Sequence, residues 1–335
     1  MRILYGVQGT GNGHISKANS LIPIIAKYAN VDILISGMNY QASLFKKPIY
    51  ATTGLSFTFG KNGGINIFDT LIKLKPFKFI YDIYDFPISN YDLVISDFEP
   101  VTAWASYIHD IPSISVGHQA SFLSKKTPRP QKTNLFAEFL FSYFSPCNDY
   151  IGIHFDNYDY NIFTPLIHPV FYNIDISLMN HITVYHPAYH FKKWIPILNN
   201  LKDVEWHLFT RDIKENKQIN NVTLKPFNHY EFAISMASSI GVITAAGFET
   251  PAEALHLGKR ILSIPMKNQY EQQCNAIALE MLGALTVKKL HRGIDSTIYS
   301  WLSTPMPAPM NYPDVREDIT QSILNMYKKI LTFGH

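Results

Sequence analysis

A chain of 335 residues, 47% hydrophobic and 16% charged, holds enough apolar material for about two cores of roughly 150 residues each, which excludes the disordered and fibrous classes. Its formal net charge of +3 is too small to argue for nucleic-acid binding, and no nucleic-acid partner is expected. The two cysteines, Cys147 and Cys274, form neither a disulfide framework nor a Cys-x-x-Cys pair, which fits a reducing, cytoplasmic setting.

In chain order, short β-branched runs alternate with longer helical patterns, the signature of parallel βαβ units and hence of an α/β fold. A strand is predicted over Ile3–Val7, too short an apolar run for a secretory signal, followed by glycines and a helix from Ser16 to Tyr28. Further buried strands are predicted at Val31–Ser36, Leu93–Ser96 and Ser113–Val116. No stretch stays apolar for ~18 residues, so no membrane span is expected. The tract from Asp156 to Asn180 mixes Asn, Asp, Tyr and two prolines without a sustained period and reads as a linker. A second α/β half follows, with strands at Ile182–Tyr185, Val204–Phe209, Val222–Leu224, Gly241–Thr244 and Arg260–Ile264. The Pro-rich tract Thr304–Pro313 ends it, and Asp314–Leu331 reads as a terminal helix. The expected organisation is an N-terminal domain over 1–165, a second over 166–313, and a helix within 314–335.

Two loops carry the chemistry. Gly9-Thr10-Gly11-Asn12-Gly13-His14 lies between a strand and a helix, where glycines allow a tight turn and close approach of a ligand. A dinucleotide fingerprint would need glycine where His14 stands, and no Gly-Lys-Ser/Thr follows for a phosphate loop. The loop instead offers an imidazole at the C-terminal edge of a parallel sheet, where α/β folds place ligands. Histidines ordinarily titrate near ~6.5, so His14 is a candidate general base, or simply a helix-start residue. Asp97, following the strand Leu93–Ser96, would lie along the same edge and could fix the imidazole tautomer. It could equally be the N-cap of a helix over Pro100–His109. The Asp97-Phe98-Glu99 acids have no other ligand cluster beside them in sequence, and no metal is expected.

The second loop is Thr244-Ala245-Ala246-Gly247-Phe248-Glu249-Thr250-Pro251-Ala252-Glu253. Small residues between a buried strand and a helix suit a diphosphate, because free N–H groups and the helix dipole receive negative charge. Glu253 is a candidate ribose ligand, or an acid that complements the dipole. Asn268-Gln269-Tyr270-Glu271-Gln272 follows after one more strand. This ordered pair of elements resembles the GT-B glycosyltransferases, in particular the MurG-like and UDP-glucuronosyltransferase-like group, over both halves of the chain. The Ala-Ala-Gly turn departs from the double glycine usual there.

The resemblance implies two Rossmann-like domains facing a cleft, with the C-terminal helix crossing back to the first. It implies that Gly247, Phe248, Glu249 and Thr250 approach the donor diphosphate, that Glu253 holds the ribose, and that Glu271 and Gln272 hold the transferred sugar. It places Arg211 near the phosphates and Phe227 against the base, with a solvated charge and ordinary core packing as the respective alternatives, and Gly11, Asn12 and Gly13 on the acceptor side. His118 and Gln119, ending another strand on the ligand edge, are further acceptor-side candidates. It also implies inverting, metal-independent transfer of a hexose from a nucleotide sugar, most commonly a UDP-sugar, with His14 as base and Asp97 as its support. A sugar-nucleotide epimerase and a non-catalytic nucleotide-sugar binder would use similar phosphate contacts. The basic loop 125–132 and the Phe-rich run Leu135–Phe144 could rest on the inner face of a membrane and admit a lipid-linked acceptor, with a glycan as the other candidate. The simpler reading of these two is a solvated loop beside a core helix.

Overall fold

The computed structural model describes residues 1–9, 12–37, 44–53 and 76–333. Two seven-stranded sheets form its two lobes. The first sheet comprises β1 (Arg2–Gln8), β2 (Asn30–Ser36), β3 (Tyr50–Thr52), β4 (Leu93–Asp97), β5 (Ser113–Gly117), β6 (Asp149–Ile153) and β7 (Ile162–Phe163). Their spatial order is β3-β2-β1-β4-β5-β6-β7, and every pair is parallel. Strands covered on both faces read as unbroken apolar runs, as β1 and β4 do.

The second sheet comprises β8 (His181–Tyr185), β9 (Glu205–Thr210), β10 (Lys217–Ile219), β11 (Val222–Pro226), β12 (Gly241–Thr244), β13 (Arg260–Ser263) and β14 (Leu285–Thr286). Its order is β10-β11-β9-β8-β12-β13-β14, with β10 as an antiparallel edge. Apart from that edge, both sheets reverse direction of strand order beside their first strand. The reversal falls between β1 and β4 in one lobe and between β8 and β12 in the other. These are the crevices where open α/β sheets receive ligands.

The helix after β1 runs Asn12–Ile25, not Ser16–Tyr28. Its buried stripe Ile15, Ala18, Leu21, Ile22 and Ile25 has helical spacing, and packing of that stripe outweighs the poor helix propensity of Asn12 and Gly13. The glycine-loop histidine therefore sits in the first helical turn. The tract 156–180 is not wholly a connector: Ile162–Phe163 extends the first sheet and a short 3₁₀ turn covers Pro169–Tyr172, with Phe171 buried in the second core. A second crossing brings the chain back. Tyr312 donates to the Phe155 carbonyl at 2.7 Å, and the helix Arg316–Phe333 buries Ile319, Ile323 and Met326 in the first-lobe core. Lys259, itself buried, ties the first crossing down by donating to the carbonyls of Ser177 (3.1 Å), Ala237 (2.6 Å) and Ser239 (3.0 Å).

The helix Leu135–Tyr143, expected as a core helix in the simpler reading, contains no buried residue. Leu135 is 80% exposed and Phe136 and Phe139 more than half so. Among the described residues, no helix is long and apolar enough to cross a membrane.

Candidate active site

The C-terminal edges of the two sheets face each other across a cavity of about 480 Å³. From the first lobe it is lined by Gly13, His14, Lys17, His118 and Gln119, and from the second by Gly247, Phe248, Glu249, Thr250, Glu271 and Gln272.

Val7 of β1 pairs with Asp97 of β4, so the turn after β1 and the end of β4 are neighbours. His14 Nδ1 stands 2.8 Å from Asp97 Oδ1. Asp97 is not the helix cap. That task falls to Glu99, whose carboxylate accepts from Val101 N at 2.8 Å and Thr102 N at 2.7 Å at the start of the helix Pro100–Ile108. To let both acids act, Phe98 between them takes a left-handed φ of 52°, a strained state for an aromatic residue and one that accumulates at functional sites. Gly6 completes the arrangement, since a Cβ there would lie 2.2 Å from Thr102 Oγ1. Burial by itself would raise the Asp97 carboxyl, but the Lys17 ammonium and His14 outweigh it and hold it below the usual range.

Across the cavity, Thr244 of β12 gives way to the helix Glu249–His256. No side chain caps this helix, so the backbone N–H groups of Glu249 and Thr250 have no intrahelical partner. A Cβ built on Gly247 would meet nothing within 4 Å, which leaves open space in front of those donors. Glu249 reaches over to the first lobe: a Cβ on Gly13 would lie 3.2 Å from its Oε1. Glu249 lines the cavity and is still exposed to solvent; partial desolvation raises its carboxyl pKa, against the pull of Lys17 and His14. Glu253, one turn deeper, makes no side-chain hydrogen bond among the described residues. Burial, with Glu249 adding to it, drives its pKa well above the carboxylate range. Glu253 is not among the residues that line the cavity; it stands behind Glu249 on the same helix.

His118 joins the lobes. It is buried, its ring stacks on Phe248 at 4.1 Å, and its nitrogens face Ile153 O at 3.0 Å and Asn275 Oδ1 at 2.9 Å. Burial lowers its pKa, with Glu271 opposing. Gln119 donates to Glu271 Oε2 at 3.1 Å, and Gln272 uses its Oε1 to accept from Met266 N at 2.9 Å. Arg211 and Phe227 do not line the cavity. The guanidinium stands 5.5 Å over the Phe227 ring, and that ring packs against Tyr185, which does line it. Asn12 starts the first helix, while Gly11 lies outside the described residues.

Several cavity residues had no motif to announce them. Lys17, whose ammonium donates to Asp97 Oδ1 at 2.6 Å, is one turn beyond His14, and that i, i+3 spacing was the available signal. Phe98, Ala137, Leu140, Phe141 and Tyr270 form an apolar wall at one end. They come from three separate segments; the Phe-rich run Leu135–Phe144 was the available signal for Ala137, Leu140 and Phe141, and nothing local joined Phe98 and Tyr270 to it.

Two Rossmann-like lobes whose sheet edges face one cleft make up the GT-B fold. The chain belongs to glycosyl transferase family 1, whose family model matches residues 1–301. An uncharacterized glycosyltransferase of Methanosarcina acetivorans is 24% identical over 328 residues, covering 84% of this chain and 82% of its own. Among solved structures, Arabidopsis thaliana UGT89C1 complexed with UDP superposes with a TM-score of 0.62 at 13% identity, over 98% of this chain and 99% of that one. Acinetobacter baumannii MurG superposes with a TM-score of 0.59 at 12% identity, over 98% and 99%. These similarities establish the fold.

Proposed function

We infer that the protein transfers a hexose from a nucleotide sugar, with UDP as the nucleotide, to an acceptor hydroxyl, with inversion and without a metal. The observation that carries this reading is the His14–Asp97 pair standing opposite the uncapped start of the helix Glu249–His256 in one cavity. UDP is the ligand of the similar Arabidopsis protein.

In this reading Asp97 accepts a hydrogen bond from Nδ1–H of His14, leaving the unprotonated Nε2 to take the acceptor's O–H proton. The acceptor oxygen bonds to the anomeric carbon from the face opposite the diphosphate, and the carbon–oxygen bond to the diphosphate breaks with its electrons. The charge that develops there is received by the N–H groups of Glu249 and Thr250 and by the helix dipole, in the open space over Gly247. Glu253 holds the ribose, and Glu271 and Gln272 the sugar hydroxyls. Arg211 and Phe227 act from behind Tyr185, steadying the wall against which the base lies.

The acceptor enters past the apolar wall of Phe98, Phe141 and Tyr270. The same helix that supplies Phe141 turns Leu135, Phe136, Phe139 and Tyr143 to the outside, and the segment before it exposes Lys125 and Lys132. This supports a lipid-linked acceptor and contact with an anionic membrane surface.

Incubation with a UDP-hexose labelled in the sugar, together with membrane extract as acceptor source, tests the reading. Transfer with release of UDP, unchanged by EDTA and reduced about 10²–10⁴-fold in His14→Ala with donor affinity retained, is the expected result. An isomerised donor, or binding without turnover, would replace transfer by epimerisation or by simple binding.

A further inference from the structure

Three side chains meet on one buried oxygen. Asp97 Oδ1 takes both His14 Nδ1 at 2.8 Å and Lys17 Nζ at 2.6 Å, while Asp97 Oδ2 is buried with no hydrogen-bond partner among the described residues. The lysine side chain is only 10% exposed and the aspartate fully buried, so water contributes little to stabilising either charge. The fit is built into the sheet. A Cβ on Gly117, at the end of β5, would lie 2.4 Å from Lys17 Nζ and 2.9 Å from Asp97 Oδ1, so a side chain there would have to displace the ammonium or the carboxylate.

A buried cluster favours the protonation state with zero net charge. With Lys17 present, one ammonium and one carboxylate already cancel, and the imidazole completes a neutral cluster without a proton. Remove the ammonium and the carboxylate is left alone. Neutrality then requires a further proton, on His14 or shared along its bond to Asp97, and a histidine so protonated cannot act as a base.

We propose that Lys17 is a positioning residue that keeps His14 unprotonated and so available to deprotonate the acceptor, by balancing the Asp97 charge. The groups facing the cluster from other elements do not supply this balance. Tyr5 of β1 is held neutral by burial. The burial of His118, beyond β5, disfavours its cationic form. Glu249 of the facing lobe, whose carboxyl pKa is raised, can supply no positive charge in either protonation state.

The inference rests on the role given to His14 above, but its test is independent of turnover. In protein labelled at histidine, with the His14 resonance assigned by its loss in His14→Gln, the imidazole is titrated by NMR in wild type, Lys17→Met, Lys17→Gln and Lys17→Arg. The midpoint is expected to rise by about one pH unit or more in the Met and Gln variants and to stay near the wild-type value in Arg. The acid limb of the turnover profile should move with it. Gln retains a hydrogen-bond donor to Asp97 without the charge, so it separates the two effects and serves if Met does not fold. An unmoved midpoint in the Gln variant overturns the proposal. Should His14→Ala keep full turnover while the midpoint still moves, the reading of His14 as base fails and the coupling stands.

Discussion

At the scale of single residues, the site depends on what is absent as much as on what is present. Gly247 is the clearest case, because the space above it is empty and lies before donors that no side chain satisfies. A substitution there should act on binding and leave folding alone. Gly247→Asp places a carboxylate where the donor diphosphate is received. Calorimetry should show UDP affinity reduced at least about tenfold, ~1.4 kcal/mol, with the melting temperature within a degree or two of wild type. A large loss of stability would mean that the space is not free. His14 was legible in sequence because a histidine directly after a strand–glycine element is at a sheet edge wherever that sheet lies. Lys17 was not: a lysine on an amphipathic helix is ordinarily a solvated charge, and nothing local says that β4 and β5 close over it.

At the scale of elements, the turn between β4 and the helix Pro100–Ile108 divides two acids between two tasks. Sequence left Asp97 as either cap or imidazole partner. The structure assigns the cap to Glu99 two residues later, since its longer side chain folds back onto Val101 and Thr102 N–H while Asp97 continues the strand. Glu99→Ala leaves those buried donors unmet and should cost about 1–2 kcal/mol in urea unfolding, whereas Glu99→Gln keeps an acceptor and should cost less. Equal losses in the two variants would show that the cap is not the source of stability. The helix Leu135–Tyr143 teaches a related point. Its composition is that of a core helix, yet none of its residues is buried, because one face lines the cleft and the other is exposed among the described residues. Apolar composition states a preference for leaving water, not what will cover the residue.

At the scale of the whole molecule, the lobes are held by two chain crossings and by contacts across the cleft. Gln119 to Glu271, His118 to Asn275 and Tyr270 to Glu138 at 2.6 Å all join first-lobe to second-lobe residues. The last helix belongs to the first core although it is farthest from it in sequence. Ile323→Ala should therefore destabilise the first lobe, by about 2–5 kcal/mol. Hydrogen exchange should rise in β1 and the helix Asn12–Ile25 before the second sheet. Equal acceleration in both lobes would instead mark a single cooperative unit.

The sequence by itself determined the two α/β halves, the strand–turn–helix setting of both loops, and the terminal helix, because these depend on periodicity and turn chemistry within a few residues. It also carried the pairing of His14 with Asp97 as one of two alternatives. Only the tertiary structure decided which alternative holds, that Lys17 shares the same oxygen, that Phe227 stands behind Tyr185, and that Glu249 spans to Gly13. Each of these is a contact between elements far apart in the chain. Such contacts are set by strand order and by the approach of two lobes, and a local pattern of residues encodes neither.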